Sequence, residues 1–114
     1  MPTLEIKQLF APVVLPAAAA VLYTMPVVAG TVLKNGRVRL SNTTGAPLAA
    51  TLYADVAATA SGAGNICFPT KNVPANDYID VDLPTMKAGD TLRGFAGAAA
   101  GITMQELGGV LYYL

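Results

Sequence analysis

The side chains that most often do chemistry are nearly missing from this chain. Its 114 residues contain no histidine, which removes the commonest general base and the commonest metal ligand together. The single cysteine, Cys67, can form no internal disulfide and cannot build a thiolate zinc site. Flanked by Ile66 and Phe68, it reads as a small buried hydrophobe rather than a reactive thiol. Asp77, Asp80 and Asp82 form the one acidic cluster, and calcium favours several carboxylate oxygens. Asp80 and Asp82 sit on a strand pattern, however, with no glycine turn to wrap them round an ion. They read as a solvated strand face that discourages edge-to-edge association. A hydrolytic carboxylate pair would need one member buried enough to raise its pKa, and nothing around these residues suggests it. Gly62-Ala63-Gly64 carries no dinucleotide fingerprint, and Gly94-Phe95-Ala96-Gly97 lacks the spacing and the lysine of a phosphate loop. These residues predict a non-enzyme with no cofactor, no metal and no small-molecule substrate, whose work is to bind or to build.

The composition agrees. A length of 114 residues suits one domain. Hydrophobic residues make up 54% and charged residues only 12%, with seven basic and seven acidic side chains cancelling to zero. The charged share is about half that of a typical soluble domain, so little electrostatic repulsion keeps copies apart. A surface of that kind is expected to be covered by partners. Nucleic acid is not among them, because phosphate binding needs an excess of Lys and Arg that this chain lacks. Arg37 and Arg39 alternate on one strand face and read as solvated. The apolar run from Ala11 to Leu22 imitates a signal peptide, but Glu5 precedes it and Pro12 and Pro16 interrupt it. It is also too short to span a membrane.

Period-two alternation positions what polar residues there are. Val38 and Leu40 alternate with Arg37, Arg39 and Ser41. Leu52, Ala54 and Val56 share one face of the next run, and Ile79, Val81 and Leu83 share one face of Tyr78–Leu83. One apolar and one polar face per strand implies antiparallel pairing. Asn35-Gly36 is a strong hairpin signal between Thr31–Lys34 and Arg37–Ser41. Asn42–Pro47, Pro74–Asp77, Lys87–Asp90 and Gly108-Gly109 punctuate the remaining runs. Ala57–Gly64 reads as a mobile loop of small residues, and Ala96–Gly101 as a long hairpin loop. The predicted fold is all-β: an antiparallel β-sandwich or jelly-roll-like barrel of about eight short strands, with an extended N-terminal arm. Residues 1–21 are the arm or a first strand, and 22–114 the sandwich domain. Leu4–Phe10 fits a strand of its own sheet as well as an exchanged arm.

From Leu22 to Leu114 the chain resembles a family of small tailed-phage virion proteins. The resemblance rests on Leu22-Tyr23-Thr24-Met25-Pro26, Arg39-Leu40-Ser41-Asn42-Thr43-Thr44-Gly45 and Ala50-Thr51-Leu52-Tyr53. It continues in Val73-Pro74-Ala75, Ile79-Asp80-Val81-Asp82-Leu83 and Lys87-Ala88-Gly89-Asp90-Thr91-Leu92-Arg93. These are strand-and-turn patterns, and their order and spacing carry the likeness. The segments 1–21 and 110–114 depart from it. The resemblance implies a virion β-sandwich with no catalytic residues. The function expected is that of a capsid decoration, or cement, protein on the outside of a head, with the major capsid protein and further copies of itself as partners and a trimer as the assembled state. A tail, baseplate or fibre component and a glycan-binding module on the particle surface are the alternatives. Leu4, Ile6, Leu9 and Phe10 are the expected partner contacts, since an extended segment can add a strand to a neighbour's sheet. Tyr112 and Tyr113 join them, because adjacent strand residues face opposite ways and only one can face a core.

Overall fold

In a computed structural model, residues 3–5, 10–27, 30–56 and 65–113 are described. The strands are β1 (Thr3–Glu5), β2 (Val13–Val14), β3 (Ala20–Thr24), β4 (Val32–Asn42), β5 (Leu48–Asp55), β6 (Ile66–Val73), β7 (Asp77–Asp82), β8 (Met86–Lys87), β9 (Thr91–Ala96) and β10 (Ile102–Tyr113). They form two sheets, and all the pairings are antiparallel. One has the order β1-β10-β4-β7, with β2 also on β10 and β8 also on β4, and the other has the order β3-β9-β5-β6. Six of the nine connections between consecutive strands switch sheets, and only β5 to β6 joins an adjacent pair within a sheet. This is the two-sheet arrangement of a jelly roll.

The core lies between the sheets. Leu33, Leu40, Leu52, Leu92, Ile102, Met104 and Leu111 are at most 1% exposed. Each such side chain contributes about 1.5–3 kcal/mol relative to leaving it in water. Ile79, Val81 and Leu83 pack inward as their alternation predicts, while Asp82 faces out. Leu15 is fully buried. Its N–H donates to the Ile102 carbonyl of one sheet, and the neighbouring Pro16 carbonyl accepts from Ala96 of the other. The proline-punctuated run expected to be an extended arm rather than a packed element is therefore extended but packed, and it closes one side of the sandwich.

Three turn expectations are overturned. Asn35-Gly36 makes no hairpin: β4 runs straight through it, with Asn35 at φ 56°. Gly108-Gly109 does not break the last strand either. Opposite each other, the two sites are bulges. Asn35 and Gly36 lie between the Arg37↔Gly108 and Lys34↔Val110 pairs, and Leu107 is the extra residue between Glu106↔Val38 and Gly108↔Arg37. A bulge reverses which face the following residues take. Leu33 and Leu111 are partners beyond the bulges, Leu40 and Met104 before them, and all four are buried. One bulge alone would turn half of its strand inside out; the pair flips both strands together. The third correction concerns Ala96–Gly101, which links β9 to β10 across the sandwich rather than within a hairpin.

β5 carries a smaller departure. Against the expected alternation, Asp55 is buried at 1% and Val56 is 56% exposed, while the irregularities beside Leu52 place their extra residues in β6 and leave the pairing of β5 with β9 regular. Asp55 lies 3.4 Å from Arg93 of β9. The loop expected over Ala57–Gly64 lies outside the described residues.

Candidate functional site

The two ends of the chain meet at one sheet edge. β1 runs antiparallel to the end of β10, with Leu4 opposite Tyr112 and Thr3 opposite Tyr113. Tyr112 is half-buried, with the Lys34 ammonium 5.9 Å from its ring centroid. Phe10 is half-buried too: its ring lies 5.1 Å from that of Tyr23 and packs against the core. Ile6 and Leu9, and the side chains of Leu4 and Tyr113, lie outside what the structure describes. Of the residues expected to bind partners, Leu4, Tyr112 and Tyr113 are thus gathered by backbone pairing, while Phe10 serves the interior.

Beside that edge lies a surface the sequence reading did not single out as a surface. No charged residue occurs between Lys7 and Lys34. In this stretch Val14, Val21 and Val27 are 52%, 46% and 81% exposed. β2 and β3, which carry two of them, are edge strands of the two sheets and are joined by the crossing at Leu15 and Pro16. The far side of the sandwich differs. Its edges are β6, with Pro69 and Lys71, and β7, with three aspartates. Proline and charge on an edge strand oppose further strand addition.

On β4 and β7 the charges form a cross-strand ladder. The register sets Arg37 opposite Asp82 and Arg39 opposite Asp80. Arg39 donates to both carboxylate oxygens of Asp80, Nε to Oδ1 at 2.8 Å and a terminal nitrogen to Oδ2 at 3.1 Å. Arg37 Nε lies 2.8 Å from Asp82 and its terminal nitrogen 3.8 Å from Asp80. The Arg39 guanidinium also sits 4.0 Å from the centroid of the Tyr78 ring. The hydrogen bonds from Arg39 hold Asp80 below the ordinary carboxylate range, and the same bonds raise Arg39. Arginines and aspartates expected to be merely solvated therefore satisfy one another. The clue was present in the matching two-residue spacing of Arg37/Arg39 and Asp80/Asp82.

This ladder has a pH signature. Because Asp80 is lowered on folding, its contribution is complete above the ordinary carboxylate range and is lost as pH falls through its depressed value. The melting-temperature gap between the wild type and Asp80→Asn should accordingly be largest near neutrality and shrink in acid. A gap that stays constant across the carboxylate range would contradict the pairing.

Two clefts flank the ladder. One, of 550 Å³, opens between the end of β5, the start of β6 and the 83–86 segment, where Val56, Ile66, Cys67, Leu83, Met86 and Asp90 contribute to the wall. Cys67 is half-buried there, and burial pushes its thiol up to about 11, so it stays protonated and weakly nucleophilic near neutral pH. The other, of 370 Å³, sits at the opposite end of β7 and is lined by Ser41, Asn42, Thr43, Asn76, Asp77 and Tyr78. Among the described residues, no three His, Cys, Asp or Glu side chains gather to hold a metal. No helix among them is long and apolar enough to cross a membrane.

No protein-family model matches the chain, and no curated protein matches it in sequence. Solved structures do. A chain of Bacillus endospore appendages, which form disulfide-linked pili, aligns with a TM-score of 0.55 at 18% identity, over 99% of this chain and 89% of that one. A chain of the infectious bursal disease virus Gx strain aligns with a TM-score of 0.55 at 12% identity, over 97% of this chain and 32% of that one. This chain thus spans less than a third of the viral chain's length. At such identities the likeness is one of fold.

Proposed function

We propose that this chain is a structural subunit of a virus particle, a decoration protein that binds the outside of a tailed-phage head. The observation that carries the reading is the charge-free side running from Phe10 to Val27, on a sandwich whose opposite side is edged with charge and proline. Such asymmetry gives one face for contacts and one for solvent. The resemblance of its strand-and-turn motifs to small virion proteins supports it, as does a fold like that of chains from a pilus and a virus. The proposed partners are further copies of the chain, as a trimer, and the major capsid protein. The edge formed by Leu4 with Tyr112 and Tyr113 lies beside the apolar side and would share in the contact; Ile6 and Leu9 are proposed as further partner contacts.

Assembly of these 114 residues would be non-covalent. One cysteine per chain can link at most two copies, so disulfides cannot build a continuous array from it. Quantitative mass spectrometry of purified virions tests the reading. Hundreds of copies per particle are expected of a decoration protein. A count of only a few per particle would overturn the head assignment in favour of a tail, baseplate or fibre position.

A further inference from the structure

We propose that the cleft at the Asn42 end of the sandwich binds a neutral or amino saccharide. This goes beyond the structural role and does not depend on it.

The cleft is firmly built. Asn42 is 2% exposed, and its side chain ties together three segments of chain. Its amide donates to the carbonyls of Ala46 and Val73 at 2.8 and 2.9 Å, and its oxygen accepts from the Thr44 N–H and hydroxyl at 2.9 and 2.7 Å. The Asn76 N–H donates to the Thr44 carbonyl, and the Thr43 N–H to that of Gly101. Asn42 is thus fully used in holding the walls, and the groups left to meet a ligand are its neighbours.

Those neighbours have the chemistry of a sugar site. Tyr78 is 51% exposed, and Arg39 is held against its ring while two hydrogen bonds to Asp80 fix the guanidinium. The result is an aromatic platform fixed before any ligand arrives, which lowers the ordering cost of binding. An aromatic ring offers an apolar face to the C–H groups of a pyranose. Ser41, Thr43, Asn76 and Asp77 also line the cleft, and their side chains carry a mixture of donors and acceptors suited to vicinal hydroxyls. One Asp77 oxygen accepts from the Tyr78 N–H at 2.7 Å. No described cation pairs with Asp77, whereas Asp80 and Asp82 are matched by arginines. The cleft is therefore locally negative. It should accept neutral sugars, favour an amino group, and reject acidic sugars.

The test applies the intact chain to a glycan array, followed by NMR titration with glucose, glucosamine and galacturonic acid. Saturable binding of neutral and amino sugars is expected, with shifts confined to the residues lining the cleft and no response to galacturonic acid. Tyr78→Ala should weaken binding at least about tenfold while Tyr78→Phe stays close to wild type. Asp77→Asn should remove the preference for glucosamine over glucose. Absence of saccharide binding, preference for the acidic sugar, or wild-type shifts mapping elsewhere would each overturn the proposal. The wild-type mapping holds even if Tyr78→Ala fails to fold. None of these outcomes bears on the copy number in virions, so the two proposals fail separately.

Discussion

Replacing Asn42 by alanine is expected to lower the unfolding free energy by about 3 kcal/mol, a large fraction of a small domain's stability. The substitution removes a side chain that makes four hydrogen bonds from a buried position. It leaves the Val73 carbonyl without that donor and frees the Thr44 turn from β4. Loss of a single exposed bond would cost far less, and the difference lies in stranding polar groups away from water. Urea denaturation of the wild type and Asn42→Ala, compared at constant m, measures the effect. A change below about 1 kcal/mol would mean that water replaces the lost partners. Asn42→Asp keeps the acceptor but sets a buried carboxylate oxygen against the Ala46 and Val73 carbonyls, so it should cost at least as much as alanine.

Gly94→Ala is expected to cost about 2–3 kcal/mol by forcing apart strands that are already in contact. A methyl group at Gly94 would stand 2.6 Å from Leu52 Cδ2, 2.7 Å from the Thr51 carbonyl oxygen and 3.1 Å from Leu22 Cδ1. Leu52 could yield by rotating. The Thr51 oxygen belongs to the backbone of β5, which pairs with β9 along their length, so it can yield only if the ladder shifts. Gly45 is the internal comparison, because nothing lies within 4 Å of a methyl group placed there. Gly45→Ala should leave the melting temperature nearly unchanged. If both variants melt together with the wild type, the close approach of β5 and β9 at Gly94 is wrong.

Much of the sandwich was legible because one-sided burial leaves a two-residue rhythm, which Ile79, Val81 and Leu83 show directly. What stayed hidden depended on residues far away in the chain. Asn35-Gly36 asks for positive φ at Asn35 in either a tight hairpin or a bulge. The local sequence is identical in the two cases, and only β10 opposite decides between them. Asp55 looked outward by alternation with Leu52, Ala54 and Val56, yet it is buried beside Arg93 of β9, a partner distant in the chain. Asn42 looked like a turn residue, and its bond to Val73 spans 31 positions. The candidate surfaces divide the same way. The uncharged stretch was visible as composition, but its gathering along one side needed the crossing at Leu15 and Pro16. The saccharide cleft was not legible, since it combines one end of β4 with the start of β7.

The facing bulges of β4 and β10 make these strands a single unit of inheritance. An insertion or deletion in either one would turn its neighbours' side chains toward water unless the other changed length at the same level. The two strands are separated by most of the chain, yet their lengths cannot drift independently. Descendants of this fold should therefore keep or lose the irregularity at residues 35–36 and 107–108 as a pair, while the loops at the ends of the sandwich remain free to vary one at a time.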